Sequence, residues 1–254
     1  MRLDTYLSPA ALTPTALAGA VVAVIDVLRA STTIAAALEA GARAVIPFLE
    51  TEDAVRTARQ FDKGEVLLAG ERQMRPIDGF DLGNSPGEFT AARVQGRTVL
   101  LTTTNGTRAL HAAHDAQAVL VASFANATAT LGPLAAALDR GQRVAFVCAA
   151  HDGRFSLEDA TLAGRLAEAL AARVPDVATD DATRTCRLLH ARYGDDTARL
   201  FAEAEHGRAL ADAGYADDLA ACGAIDAHPI VCRYRDHVIL GSPAPATLGA
   251  AADR

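Results

Sequence analysis

An apolar run that ends in a carboxylate constrains this chain more than any other feature. Val21-Val22-Ala23-Val24-Ile25 leads into Asp26-Val27-Leu28-Arg29, and Ala30-Ser31-Thr32-Thr33 then opens an alanine-rich stretch. A strand that is apolar at every position must be covered on both faces, as in parallel sheets flanked by helices. Asp26 comes where that strand would leave the core. An arginine, three hydroxyl residues and a helix start follow at once. A carboxylate in that place can ligate a metal, and an arginine beside a helix N-terminus can hold an oxyanion. Taken alone, Asp26 or Ser31 is as readily a helix cap.

The same rhythm continues for two thirds of the chain. Apolar runs recur at Ala44–Leu49, Val66–Ala69, Thr98–Thr102, Ala118–Ser123 and Val144–Ala149. Amphipathic segments lie near Thr32–Ala40, Glu52–Gln60, Thr107–His114 and Ala127–Asp139. The expected fold is a three-layer α/β/α arrangement around a mainly parallel, or mixed, sheet. From Ser156 to about Leu219 the sequence turns helical, giving a helical C-terminal third. Val231–Tyr234 and Val238–Leu240 read as a small hairpin, and the last dozen residues as a frayed tail. No linker or repeat interrupts residues 1–254, so one domain is expected. Gly70–Pro86 breaks the rhythm as a long loop, and its end, Ser85-Pro86-Gly87-Glu88, has the form of a capping box.

Composition excludes several classes. The net charge is −7 and no basic tract is present, which argues against nucleic-acid or anionic-membrane surfaces. Lys63 is the one lysine, so a Walker loop and a Schiff-base lysine are absent. Cys148, Cys186, Cys222 and Cys232 form no C-x-x-C pair, which fits a reducing cytoplasm. Leu17–Ile25 is too short for a membrane span, and Asp4 is wrong for a signal-peptide n-region. A soluble, unprocessed cytoplasmic protein is expected.

Four strand-end segments carry the chemistry: Asp26–Thr33, Ala69-Gly70-Glu71-Arg72, Leu101-Thr102-Thr103-Thr104-Asn105-Gly106-Thr107-Arg108, and Ala150–Asp159. Each has a plain structural reading: a cap, a surface ion pair, a tight turn, and a capping box from Ser156 to Asp159. Together they bring up to four carboxylates and four arginines to the region where open α/β sheets bind ligands. Carboxylates held that close repel unless a cation neutralises them, and Mg²⁺ suits carboxylate, water and phosphate oxygens. Arginine forks suit phosphate. A metal-assisted site for a small anionic phosphate compound follows. His111 and His114 share a helix face without a third ligand, whereas His151 is placed to act as an acid.

These motifs resemble those of the 2-phosphosulfolactate phosphatases. The resemblance rests on Val24–Thr33, Leu68–Arg72, Gly79–Pro86, Thr102–Arg108 and Ser156-Leu157-Glu158-Asp159, in that order. Two segments depart from it, Cys148-Ala149-Ala150-His151-Asp152-Gly153 and Asp226–Val231. The resemblance implies a Mg²⁺-dependent phosphoric monoester hydrolase that releases phosphate from 2-phospho-3-sulfolactate, a step in coenzyme M biosynthesis. On this reading Asp26, Glu71 and one or both of Glu158 and Asp159 hold Mg²⁺. Arg29, Arg72, Arg108 and the groups around Ser31, Thr32, Thr33, Thr104, Asn105, Gly106 and Thr107 hold phosphoryl oxygens. Asp81, Asn84 and Ser85 lie in a loop that closes over the substrate. The nucleophile is a metal-activated water or, alternatively, Asp26 itself. Two other functions remain open at this stage: a non-catalytic phosphoacid sensor, and a lyase or isomerase acting on a phosphorylated acid. The alanine-rich C-terminal third offers a face for a homodimer.

Overall fold

Tertiary placement decides more of this sheet than strand propensity does. The computed structural model describes residues 1–13 and 15–244; the tail expected at the extreme C-terminus lies outside the described residues. In chain order the elements are β1 (Arg2–Tyr6), β2 (Ala20–Ile25), α1 (Ala30–Glu39), β3 (Ala44–Phe48), α2 (Thr51–Ala58), β4 (Val66–Arg72) and β5 (Arg75–Pro76). Next come α3 (Ala91–Val94), β6 (Thr98–Thr102), α4 (Gly106–Ala112), β7 (Ala118–Ala122), α5 (Ala127–Asp139) and β8 (Arg143–Cys148). The remainder is α6 (Leu157–Arg173), β9 (Ala178–Thr179), α7 (Asp181–Tyr193), α8 (Thr197–Glu203), α9 (Glu205–Asp212), α10 (Ala216–Gly223), β10 (Ile230–Arg235) and β11 (Val238–Pro243).

The strands form one mixed sheet in the order β5-β4-β6-β3-β11-β10-β7-β2-β8-β1-β9. Two parallel blocks, β4-β6-β3 and β7-β2-β8-β1-β9, flank the β10–β11 hairpin, which is antiparallel to β7 and to β3. The hairpin at the end of the chain is thus a central element of the sheet. It completes the hydrogen-bonding edges that the two blocks would otherwise leave open.

Strand β2 is buried throughout and packs on both faces. Val21, Ala23 and Ile25 enter one core with α5, α6 and the C-terminal helices. Ala20, Val22 and Val24 enter the other with α1, α4 and the hairpin. This period-two division is the reason the run carries no polar residue before Asp26.

The long loop is more ordered than its sequence suggested. Strand β4 runs on to Arg72 and turns back through Gln73 and Met74 into β5, both turn residues having positive φ. That is the geometry of a tight hairpin turn. Gly70 is required there, because a Cβ would lie 2.0 Å from the Thr102 carbonyl oxygen. The capping box expected at Ser85 does not form. Pro86–Glu88 is a short 3-10 turn without a side-chain cap, and Glu88 accepts from the Gly83 N–H instead. The Ser156 cap does form, with its hydroxyl accepting from the Asp159 N–H.

Helix α6 is bound closely to α7. A Cβ on Gly164 would lie 1.9 Å from the Cys186 carbonyl oxygen, so the two helices meet at backbone contact. Gly164→Ala is expected to lower unfolding stability by about 1–3 kcal/mol through overpacking. Urea denaturation checks this; an unchanged midpoint would show that the helices separate without cost.

Candidate active site

The carboxyl ends of β2, β4, β6 and β8, with the chain that follows them, converge on a cavity of about 210 Å³. Asp26, Leu28 and Arg29 come from the first, Glu71, Gln73 and Met74 from the second, Thr103, Thr104 and Asn105 from the third, and His151 and Asp152 from the fourth. Asn84 from the long loop and His206 and Leu210 from α9 complete the wall. A larger cavity of about 630 Å³ lies elsewhere, lined by His114, Gln117, Arg233, Arg235 and His237 among others. It contains none of the expected residues.

Asp26 is the centre of the site's hydrogen bonding. Its Oδ1 accepts from the Ala30 N–H at 3.2 Å, its carbonyl accepts from the Ser31 N–H, and its own N–H donates to Ser31 Oγ at 3.0 Å. The first N–H groups of α1 are therefore spent on the Asp26 turn and not on a ligand. Gly106 at the start of α4 makes room for this carboxylate: a Cβ there would stand 2.7 Å from Asp26 Oδ2 and from Ala30 Cβ. Burial pushes the Asp26 carboxyl up to about 6, against the His206 charge and the Ala30 N–H, and Glu71 and Glu158 add repulsion.

Glu158 and Asp159 are fully covered but serve differently. Asp159 Oδ1 accepts from the Val27 N–H at 2.9 Å and Oδ2 from the Ala150 N–H at 3.3 Å, tying the exit of β2 to the exit of β8. Burial, then Glu158 and Asp26, hold its carboxyl well above the usual range. Glu158 Oε1 lies 3.2 Å from His206 Nδ1. The His206 ring stacks on His151 at 3.9 Å between centroids. His151 Nδ1 is buried without a partner, and burial followed by the His206 charge lowers its pKa. Glu71 uses both oxygens as acceptors, from the Thr104 N–H and the Met74 N–H, each at 2.8 Å.

A buried group of carboxylates whose charges raise the pKa of Asp26 and of Asp159 fits a bound cation. Glu71 and Asp159 have both oxygens engaged by backbone N–H groups, while Asp26 and Glu158 each keep one oxygen clear of such bonds. Among the described residues, no three His, Cys, Asp or Glu side chains gather around one point. The donor set suits a hard cation that keeps most of its water and takes one or two carboxylates, as Mg²⁺ does.

The other expected residues divide sharply. Arg29 lines the cavity and is almost fully covered. Asn84 Oδ1 and Thr104 Oγ1 are buried polar atoms without partners, and both residues face the cavity. Asn105 is also in the wall. Ser31, Thr32 and Thr33 are buried with their hydroxyls used elsewhere: Thr32 donates to the Val27 carbonyl and Thr33 to the Asn84 carbonyl. Thr107 folds onto Thr103. Arg72 donates to the Leu49 and Glu71 carbonyls, and Arg108 is exposed, so neither lines the cavity. Asp81 accepts from the Leu68 N–H beside β4, and Ser85 bonds to Asp218. His206, Asp218 and Tyr215 were not singled out from the sequence. They sit in helical segments whose periodicity gives no sign of the cavity.

The cavity wall thus combines unpaired polar atoms, the buried carboxylates of Asp26 and Glu71, and one held arginine. A sequence profile described as 2-phosphosulpholactate phosphatase matches residues 6–237. A Symbiobacterium thermophilum protein named "Probable 2-phosphosulfolactate phosphatase" is 45% identical over 206 residues, covering 81% of this chain and 87% of the relative. A Caldanaerobacter subterraneus protein of the same name is 35% identical over 218 residues, covering 86% and 89%. A third, from Synechococcus sp. RCC307, is 38% identical over 236 residues, covering 91% and 95%.

The Asp26 shift makes a sign-definite prediction. The folded protein binds the Asp26 proton more tightly than the unfolded chain, so stability falls as pH rises from about 4 to about 6. Above that window the cost is fully present. Asp26→Asn keeps the acceptor for the Ala30 N–H and removes the charge. In a chelator at pH 8 it is expected to be more stable than the parent by on the order of 2–3 kcal/mol, with the gap closing near pH 4. Urea unfolding at the two pH values measures this, and equal stability at pH 8 would refute it.

Proposed function

This chain belongs to the 2-phosphosulfolactate phosphatase family, and we propose that it hydrolyses the phosphate monoester of 2-phospho-3-sulfolactate, or of a closely related phosphorylated acid, to the hydroxy acid and inorganic phosphate. The observation that carries this reading is the cavity wall itself. Asp26, Arg29, Asn84, Thr104 and His151 surround one small space, and three of them present buried polar atoms without a protein partner. An unpaired buried polar atom costs free energy unless a ligand or water completes it.

Attack of water on phosphorus forms one P–O bond and breaks the ester P–O bond, and the leaving oxygen of the hydroxy acid takes up a proton. Arg29 holds phosphoryl oxygens by N–H donation. The side chains of Thr104, Asn84 and Asn105 complete the polar lining. His151 stands in the wall with Nδ1 unpartnered, placed to give the proton to the leaving oxygen. Its lowered pKa confines the charged form to the acid side. Mg²⁺ is proposed as the cofactor: Asp26 in the cavity wall and Glu158, which lines the adjoining cavity that shares His151 and His206, would hold it, Glu71 and Asp159 would orient the backbone around them, and the ion would supply charge neutralisation and a more acidic bound water. Helix α9 adds Leu210 and His206 to the cavity wall.

The cellular setting belongs to the same proposal. All four cysteines are unpaired and buried, in keeping with a reducing cytoplasm. Among the described residues no helix is long and apolar enough to cross a membrane. A homodimer would use the C-terminal helices, where Leu188 on α7 is an exposed apolar residue. A role in coenzyme M biosynthesis follows if the sulfonated ester is the preferred substrate.

The test is phosphate release from racemic 2-phospho-3-sulfolactate, phospholactate and an aryl phosphate, with Mg²⁺ or EDTA. Mg²⁺-dependent release with strong preference for the sulfonated ester is expected, and Asp26→Asn should abolish it with the fold retained. Release from phospholactate alone would keep the chemistry and change the substrate. Tight binding without release would overturn the phosphatase reading. Phosphate that stays organic in a changed product would point to a lyase or isomerase.

A further inference from the structure

Arg29 is held from outside the sheet. Its Nη1 donates to Asp218 Oδ2 at 2.6 Å and to Ser85 Oγ at 3.3 Å, and its Nη2 donates to the Met74 carbonyl at 3.2 Å. The guanidinium carbon lies 4.3 Å from the centre of the Tyr215 ring. Ser85 Oγ donates to the same Asp218 oxygen at 2.8 Å, closing a triangle. A guanidinium has five N–H donors, and these bonds take three. The Nε–H and one Nη2–H are left to a ligand in the cavity that Arg29 lines.

We propose that Asp218 and Tyr215 are positioning residues that fix Arg29 as the oxyanion fork of the cavity, making the last helices of the chain part of the phosphoryl site. The ligand class rests on the phosphatase reading above. Asp218 lies on α10 and Tyr215 immediately before it, while the arginine they hold follows β2, so the arrangement spans nearly the whole sequence. A free arginine side chain loses rotamer freedom when it grips an anion, and one already held does not. The Asp218 charge opposes that of the anion. Its contribution is therefore orientation at the reacting centre and not affinity for the ground state. This is the kind of preorganisation that lowers a barrier, because the donor already points where charge develops. The Tyr215 face supports the cation without adding a negative charge.

The signature is a split between turnover and binding. Asp218→Asn keeps the shape and one acceptor but loses the charge that pins the guanidinium. It should lower kcat per folded molecule roughly 10-fold or more, with KM and the inhibition constant of inorganic phosphate unchanged or lower. Tyr215→Phe, which keeps the ring face, should stay near the parent, while Tyr215→Leu should lose several-fold in kcat. In an Arg29→Ala background, Asp218→Asn should change kcat less than about twofold, since residues acting through one group are not additive. Unchanged kcat per folded molecule in Asp218→Asn, or an equal fractional loss in both backgrounds, would overturn the proposal and leave Asp218 a fold-stabilising residue. If the parent protein releases no phosphate from any ester, the phosphatase reading fails by itself. The same cycle is then read by calorimetric binding of orthovanadate, which takes up the five-coordinate geometry of a phosphoryl group in transfer. A shift on Asp218→Asn that disappears in the Arg29→Ala background supports the positioning role, and equal shifts in both refute it.

Discussion

The site depends on the Asp159 carboxylate, which accepts one backbone N–H from Val27 and one from Ala150. Those two residues follow neighbouring parallel strands, β2 and β8, where the sheet ladder has ended and the N–H groups have no strand partner. A buried donor in that position must be satisfied, and a carboxylate at the start of α6 satisfies two at once. The same side chain therefore closes the top of the sheet, fixes the turn that carries Asp26 and Arg29, and fixes the turn that carries His151. Its cost is a third buried carboxylate beside Asp26 and Glu158. That accumulated repulsion is what the proposed cation would relieve.

Much of the framework was legible because the sheet is buried on both faces. Each apolar run from Val21 to Ala149 is a strand, and the amphipathic segments between them are helices. The hairpin at Val231–Tyr234 and Val238–Leu240 was also legible, but its location was not. A hairpin's local pattern gives its turn and its two strands and says nothing about which edges it joins. Its place between β3 and β7 is set by partners roughly two hundred and one hundred residues away, respectively. Strand β1 was missed for a related reason. Arg2–Tyr6 carries Leu3 between two charged residues and has no apolar run, and pairing with β8 and β9 makes it a strand. At Ser85 the capping-box pattern was present in the sequence, yet the hydroxyl is taken by Asp218 and the Glu88 side chain by Gly83. A tertiary hydrogen bond outcompeted the local one.

Within the site, position along the chain was legible and side-chain direction was not. Asp26, Arg29, Glu71, Thr104 and Asn105 do border one cavity, as strand-end residues of such a sheet should. Ser31, Thr32 and Thr33 follow the same logic in sequence, but the hydroxyls of Ser31 and Thr32 turn to the backbone of Asp26 and Val27, and that of Thr33 to the Asn84 carbonyl in the long loop. Arg72 sits next to Glu71, and strand alternation alone requires the two to point to opposite faces. Arg108 is two residues into α4 and faces solvent. Counting charges near strand ends therefore overstates the number of cations available.

That shortage explains why the helical C-terminal portion reaches back over the sheet. On the proposed reading, an acidic chain that takes an anionic ester cannot rely on its overall field, so the few cations near the ligand must be placed accurately. With one arginine in the wall, accuracy has to come from contacts on several of its sides. The strand-end loops supply Ser85 and the Met74 carbonyl, and only the helices can supply the carboxylate and the ring. Removing either partner of the buried Arg29–Asp218 pair would leave a charge without compensation, which links the folding of α10 to the geometry of the cavity. The same region carries His206, stacked on His151 and bonded to Glu158, so a displacement of α9 and α10 would disturb the cationic and the carboxylate sides together. The cavity is consequently a product of the whole chain, with the sheet fixing the carboxylates and the last helices fixing the groups that answer them.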